Sequence, residues 1–445
     1  MSLEFAIPIK PPLDPGFVPA VLWNCAFAAA CEDQGGRLVT LEVLRGEKVV
    51  ANFSTKVLAG DSARGLNERY LERAAKFLLW SAGGDGLRVE GHAELDSFLK
   101  KTYSADGPRA FDASFFADIF SGSTSAVSGL GGHWQGCRVG FDLGASDRKC
   151  AAVRDGEVVH TEEVRWDPGA HTDPAWHIAE IQDSIHRAAA KLPRLDAIGG
   201  SCAGILVGGE IRMSSLMRGV TDAQQMRSLL KRVSAAWPDI PFAALNDGAV
   251  TALLGASASE RKPMLGLALG SSLAAGSVGK DGWIRTGIDE LAFAPIDYRE
   301  DAPLDEWSGD RGCGVQYLSQ QAVARLLPAA GITIPEVMPL PEKLACVQQL
   351  MGSGNPKAQQ LYKTLGVYAA YAIAHYGSFY PIDNVLLLGR VLTGSGGQVL
   401  IDEARRVLKE VTPEYADVHI ETLNEQGKRH GQAVAAASLP PMAKP

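Results

Sequence analysis

Four points in this chain set polar or small residues directly after an apolar stretch. In GFDLGASDRK, Gly140–Lys149, a carboxylate at a strand end is followed by glycine and small polar residues. That arrangement can hold a hydrated magnesium ion through Asp142 and admit phosphate to backbone amides. The same letters also suit a hairpin in which Asp142 is incidental. In AALNDGAV an apolar run stops at Asn246–Asp247, and Gly248 opens a small-residue helix. An aspartate fixed there can accept a hydroxyl proton while the asparagine holds a substrate oxygen. Either residue can equally do no more than cap the helix. ALGSSLAAGSVGK, Ala268–Lys280, gathers small residues around a turn, which lets backbone approach a ligand closely or simply closes a tight hairpin. LLLGRVLTGSGG, Leu386–Gly397, ends a strand at Gly389 ahead of a Gly-rich stretch and a helix. Free amides there can meet a nucleotide or belong to an ordinary loop.

The elements that must position these points follow from periodicity and turn residues. Cys137–Leu143, Asp196–Ser201, Pro241–Leu245, Met264–Leu269, Asn384–Leu388 and Val418–Glu421 read as strands. Lys149–Arg154 and Val158–Val164 flank Asp155–Gly156, a strong hairpin signal. Helices are predicted over Ala175–Leu192, Thr221–Trp237, Gly248–Ser259, Val315–Leu327, Lys357–Tyr376 and Gln398–Lys409. Ahead of them, a hairpin around Arg45–Gly46 and a helix over Asn67–Trp80 give residues 1–120 a mixed α/β character without a chemical motif. SGSTSAVSGLGG, 121–132, reads as a linker or an ordered surface loop. Hairpins followed by strand–helix alternation predict two α/β lobes with mixed sheets. The division expected is 1–120, a linker or loop over 121–135, a first lobe over 136–250 and a second over 251–445. Neither Gly-x-Gly-x-x-Gly nor GxxxxGK[ST] occurs, so a standard dinucleotide fold and a P-loop are excluded.

Composition bounds the partners. The chain has 445 residues, 46% apolar and 21% charged, which excludes wholesale disorder and suggests two to three domains. A formal charge of −8 offers no broad cationic field, so no nucleic-acid partner is expected. No two of the seven cysteines are spaced C-x-x-C, and neither a disulfide scaffold nor a zinc knuckle is indicated. The N-terminus lacks a basic stretch followed by an apolar core, and no run of 18 apolar residues occurs. A cytoplasmic protein with no membrane partner is the expectation.

Taken in order, the four points resemble the ROK family, sugar kinases and related repressors of the actin-like, hexokinase-like ATPase superfamily. The resemblance runs from about residue 136 to the end. It implies a two-lobed actin-like ATPase fold of the ribonuclease H-like kind, with residues 1–120 as an additional mixed α/β region. It implies ATP and Mg²⁺ as cofactors, a small-molecule substrate and a homodimer. Asp142 would sit near magnesium, and Gly144, Ala145 and Ser146 near the phosphates. IGGSCAG, Ile198–Gly204, resembles the segment leading into the sugar loop, which places Gly204 at the substrate. Asp247 matches the catalytic base and Asn246 its sugar-holding neighbour. Gly270 and Ser271 resemble the second phosphate motif, and Gly389 the first glycine of the adenosine motif. Gly431–Ala433 resembles the closing glycine–alanine segment.

The departures from the family pattern shape the expectation. Glu290 keeps the sugar-binding glutamate of Glu-x-Gly-His, but the histidine position holds Phe293. The Cys-x-Cys-Gly-x-x-Gly-Cys segment reads Glu306–Trp307–Ser308–Gly309–Asp310–Arg311–Gly312–Cys313. One thiolate of three predicts no structural zinc, with Trp307 and Phe293 keeping the loop in shape by packing. A phenyl ring cannot donate a hydrogen bond to a sugar hydroxyl, so glucose is not the expected substrate; a smaller, modified or less polar polyol, or a lost kinase activity, fits instead. Ser272 and Arg390 replace further glycines. No basic recognition helix is found in residues 1–120, which would be a lid, a dimerisation region or a domain packed beside the sugar lobe. ATP-dependent phosphorylation of a hydroxyl compound is the function expected, and a catalytically silent ligand sensor the alternative.

Overall fold

The hairpin expected at Arg45–Gly46 joins β1 (Arg37–Arg45) to β2 (Lys48–Val57), and β3 (Gly86–Glu90) pairs antiparallel along the other edge of β1. Gly46 takes φ 59°, the left-handed turn for which glycine is suited. The computed structural model describes residues 3–121, 129–285 and 287–442. Most of the segment read as a linker, 122–128, therefore lies outside the described residues.

The next sheet has the order β10-β7-β4-β5-β6. Its strands are β4 (Cys137–Leu143), β5 (Asp147–Arg154), β6 (Glu157–Arg165), β7 (Ala197–Cys202) and β10 (Phe242–Asn246), with the small ribbon of β8 (Ile205–Val207) and β9 (Glu210–Met213) between the last two. β4, β5 and β6 form an antiparallel meander, while β7 and β10 run parallel to β4. The following sheet repeats this plan. β11 (Met264–Leu269) and β12 (Leu273–Val278) are antiparallel, and β13 (Asn384–Leu388) and β14 (His419–Glu421) add in parallel, in the order β12-β11-β13-β14. A single antiparallel bridge, Val278 to Ile284, stands where the meander's third strand would lie. The helix Asp247–Ser259 runs on from β10, and the helix Glu425–Ala437 returns to cover the five-stranded sheet. That return is so close that a Cβ at Gly140 or Gly199 would strike the carbonyls of Ala433 and Ala436.

Two predicted helices are shorter than read. Thr221–Trp237 is split into Ala223–Arg227, capped by Asp222, and Leu229–Ser234. Ser228, at the break, turns its hydroxyl back onto Gln225 O, an alternative to the helical ladder. Val315–Leu327 starts only at Gln320, because Ser319 accepts from the Gln321 amide and so caps the helix there.

Residues 3–120 are built into the second lobe. Phe17, Val21 and Phe77 belong to the same buried cluster as β11, β13 and the helix Pro356–Gly377. Asp14 accepts from Tyr368 Oη at 2.6 Å and pairs with Arg299 at 2.9 Å and Arg325 at 3.2 Å. Ile296 O accepts from the Ala20 amide, and Val18 O from the Tyr298 amide.

Candidate active site

Three parallel strands of the five-stranded sheet end on the same side, and this brings the predicted residues together. β4 ends beside Asp142, β7 beside Ser201–Gly204 and β10 at Asn246–Asp247, as expected for a crevice at the carboxyl ends of parallel strands. Asp142 lies opposite Ser201 in the β4–β7 register, and the Ser201 hydroxyl donates to its Oδ1 at 2.7 Å. Lys149 Nζ lies 3.7 Å from Asp142 and 2.6 Å from Asp147, balancing two carboxylates at once. Arg148 is one residue away in β5 and therefore on the opposite face. It is spent on Glu180, Asp183 and Ser184 of the helix Pro174–Ala189.

Asn246 ties two elements together. Its Oδ1 accepts from the Gly248 amide, starting the helix, and its Nδ2 donates to Gly204 O at 2.7 Å. Gly204 has φ 122°, and a Cβ there would run into Met213 O, so only glycine suits the position. Asp247 begins the helix. Burial, then the nearby Asp142, pushes its carboxyl up to about 7. Burial, then Asp247 and Asp289, pushes Glu290 up to about 8. Asp142 is also raised, chiefly by burial. The three carboxylates thus share one buried region in which neither Asp247 nor Glu290 ionises readily.

The second lobe closes the opposite wall. In the first phosphate-type turn the Gly144 amide donates to Asp147 O, and in the second the Gly270 amide donates to Ser272 O. Among the described residues, the amides of Ala145, Ser146 and Ser271 make no such internal bond, so they are the donors these turns hold free. Gly389 follows β13 at φ 98°, and a Cβ there would strike Leu269 O. Arg390 is exposed beyond it, close enough to Asp147 to help hold that carboxyl below its usual range.

Sequence reasoning missed how Glu290 is positioned. The helix Arg64–Ala82 points its C-terminal end at this segment. Its Trp80 and Ser81 carbonyls accept from the amides of Glu290, Asp289 and Ile288 at 2.8–2.9 Å, filling acceptors that a helix end leaves open. Asp289 is held in the left-handed region at φ 47° by Tyr380 Oη at 2.6 Å and Ser277 Oγ at 3.3 Å. Around the same helix, the Phe293 ring packs tilted against Trp80 and Trp307, with centroids 4.7 Å and 4.6 Å away, and Phe111, Phe115 and Phe116 complete the aromatic group. Lys76, fully buried, reaches Asp112 at 3.0 Å and Asp310 at 3.3 Å. These donors do not suit tetrahedral zinc. Ser308 is engaged with Asp305, and the Cys313 thiol, pushed up to about 12 by burial and by Asp310, is a poor thiolate.

No protein-family model and no curated protein matches the chain. Solved structures do. The ROK hexokinase of Thermus thermophilus matches 68% of this chain and 96% of its own, with 19% identity and a TM-score of 0.52. A ROK family glucokinase from Streptomyces griseus, solved with glucose and AMPPNP, matches 68% and 98%, with 18% identity and a TM-score of 0.50. A ROK family transcriptional regulator, homologous to the E. coli MLC protein, matches 68% and 78%, with 19% identity and a TM-score of 0.53. The fold is that of the ROK proteins. Within that ROK fold, sugar kinases and a regulator share one architecture, so the fold itself does not choose between them. No helix among the described residues is long and apolar enough to cross a membrane.

Proposed function

We propose that the chain is an ATP-dependent kinase for a hydroxyl group on a sugar or related small molecule. The observation that carries this reading is Asp247. It is a half-buried carboxylate raised to about 7, at the carboxyl end of an edge strand, beside Asn246 and within the field of Asp142. A general base is most effective with its pKa near the working pH. Asp247 would take the acceptor's hydroxyl proton. Asn246, fixed by Gly204, would orient the acceptor oxygen. Glu290, protonated at neutral pH, would donate a hydrogen bond to a second hydroxyl. The free amides of Ala145, Ser146 and Ser271 would meet the phosphate oxygens as charge develops on the transferred group.

Asp142 suits a hydrated divalent cation, because a buried carboxylate raised by desolvation gains from a nearby positive charge. A bound Mg²⁺ would neutralise the phosphates of ATP. The second reading, a catalytically silent ligand sensor, is favoured by Asp147. That carboxylate lies in the turn meant for phosphate, although Lys149 and Arg390 offset its charge.

Asp247→Asn separates the two. Under the kinase reading, sugar-stimulated ADP formation falls by about 10²–10⁴-fold while ligand binding by calorimetry is kept. The wild-type kcat/KM rises as pH passes about 7, and the residual rate of the variant loses that limb. Equal turnover in wild type and variant would refute Asp247 as base.

A further inference from the structure

A cavity of about 400 Å³ lies along the outer edge of β10, running from Pro241 to Asn246. It is lined by six consecutive residues because β10 is an edge strand. With no neighbour on that side, its backbone faces the space as well as its side chains. Ile198 of β7 donates to Pro241 O, so by the alternation of a parallel ladder Phe242 and Ala244 turn their amides and carbonyls into the cavity. The rest of the wall is mostly apolar: Leu206, Val207, Ile284, Ile288 and Pro440.

Arg45 closes the far side. Its Nη2 donates to Gly83 O at 3.0 Å and its guanidinium lies 4.3 Å from the Phe120 ring centroid. The size suits a small-molecule site, and the mix of apolar wall with a few directed polar groups is that of a ligand pocket.

We infer that the ligand held at Asn246–Asp247 is a conjugate: a hydroxylated ring bearing an apolar, aryl-sized substituent that occupies this cavity. The inference deepens the kinase reading by naming the substrate class and rests on it for the position of the ring. Two features carry it: the open β10 edge and the apolar wall continuous with Asn246.

The test uses the full chain and three probes: methyl, phenyl and 4-nitrophenyl β-D-glucopyranoside. Binding is measured by calorimetry, and ADP formation with Mg-ATP is measured separately. The aryl glucosides should bind at least ~10-fold more tightly than the methyl glucoside, given the apolar area removed from water. Ala243→Trp and Leu206→Trp, which fill the cavity from different sides, should each bring the aryl-to-methyl ratio to within about twofold. Equal or undetectable binding of all three, or a preference that survives both folded variants, overturns the inference, and the kinase reading is then judged on ADP formation from other sugars. An aryl preference without any ADP formation supports the cavity as a ligand site and counts against the kinase.

Discussion

Glu290 sits among like charges, with its backbone amide bonded to a helix C-terminus that is itself partly negative. Its stability consequence has a definite sign. Unfolded, a glutamate titrates near 4.3; folded, this one titrates at about 8. Between those values the native state holds a proton the unfolded state has released, so stability falls as pH rises through that window. Asp247, raised to about 7, acts in the same direction. Glu290→Gln removes the Glu290 share, so its melting temperature should gain on wild type progressively from about pH 4.5 to about pH 8. Thermal melts across that range check it. A constant difference would mean that the carboxyl is charged when folded, and the neutral donor role proposed for it would fall.

Several elements could be read directly. The helix Pro356–Gly377 brackets the predicted Lys357–Tyr376, and β11 and β13 have their predicted bounds. Asn246–Asp247 stood out because an apolar strand stops there at two polar residues. What could not be read is what pairing supplies. Ser201 meets Asp142 across a β4–β7 register that joins positions 59 residues apart. The support of Glu290 by Trp80 and Ser81 leaves no periodic trace, since it runs through backbone carbonyls. Residues 67–80 were visible as a helix, which the structure extends to Arg64–Ala82, but Lys76 reads as solvated until its partners are placed around it. The energetics now differ sharply between two lysines. Lys76 is fully buried between Asp112 and Asp310, whereas Lys56 and its partner Glu32 are 43% and 67% exposed. Lys76→Met leaves the buried Asp112 without its cation, while Asp310 keeps Arg73 and Arg109, and should cost about 3–5 kcal/mol. Lys56→Met should cost less than about 1 kcal/mol. Urea denaturation of both variants gives the comparison, and similar small losses would show that the buried cluster contributes little.

At the scale of the molecule, residues 3–120 complete the second lobe. Phe17, Val21 and Phe77 fill its core, and the amides of residues 288–290 depend on the helix Arg64–Ala82 for acceptors. A chain beginning at residue 129 would expose that core and leave those amides unmet. We expect it to be insoluble, or soluble without a cooperative thermal transition. Circular dichroism and sedimentation would show this, and a monodisperse fragment with a sharp melt would assign residues 3–120 an independent role.

The pairing of Asp14 with Tyr368 has a bearing on how the protein is made. The partners are 354 residues apart. At a synthesis rate of roughly 5–20 residues per second, Asp14 and the neighbouring Phe17 leave the ribosome roughly 20–70 s before the helix they dock on. During that interval the first-made part of the chain has an apolar surface with no template to receive it. The order of translation thus delays the native contacts of Asp14 and Phe17 until the helix Pro356–Gly377 has been made.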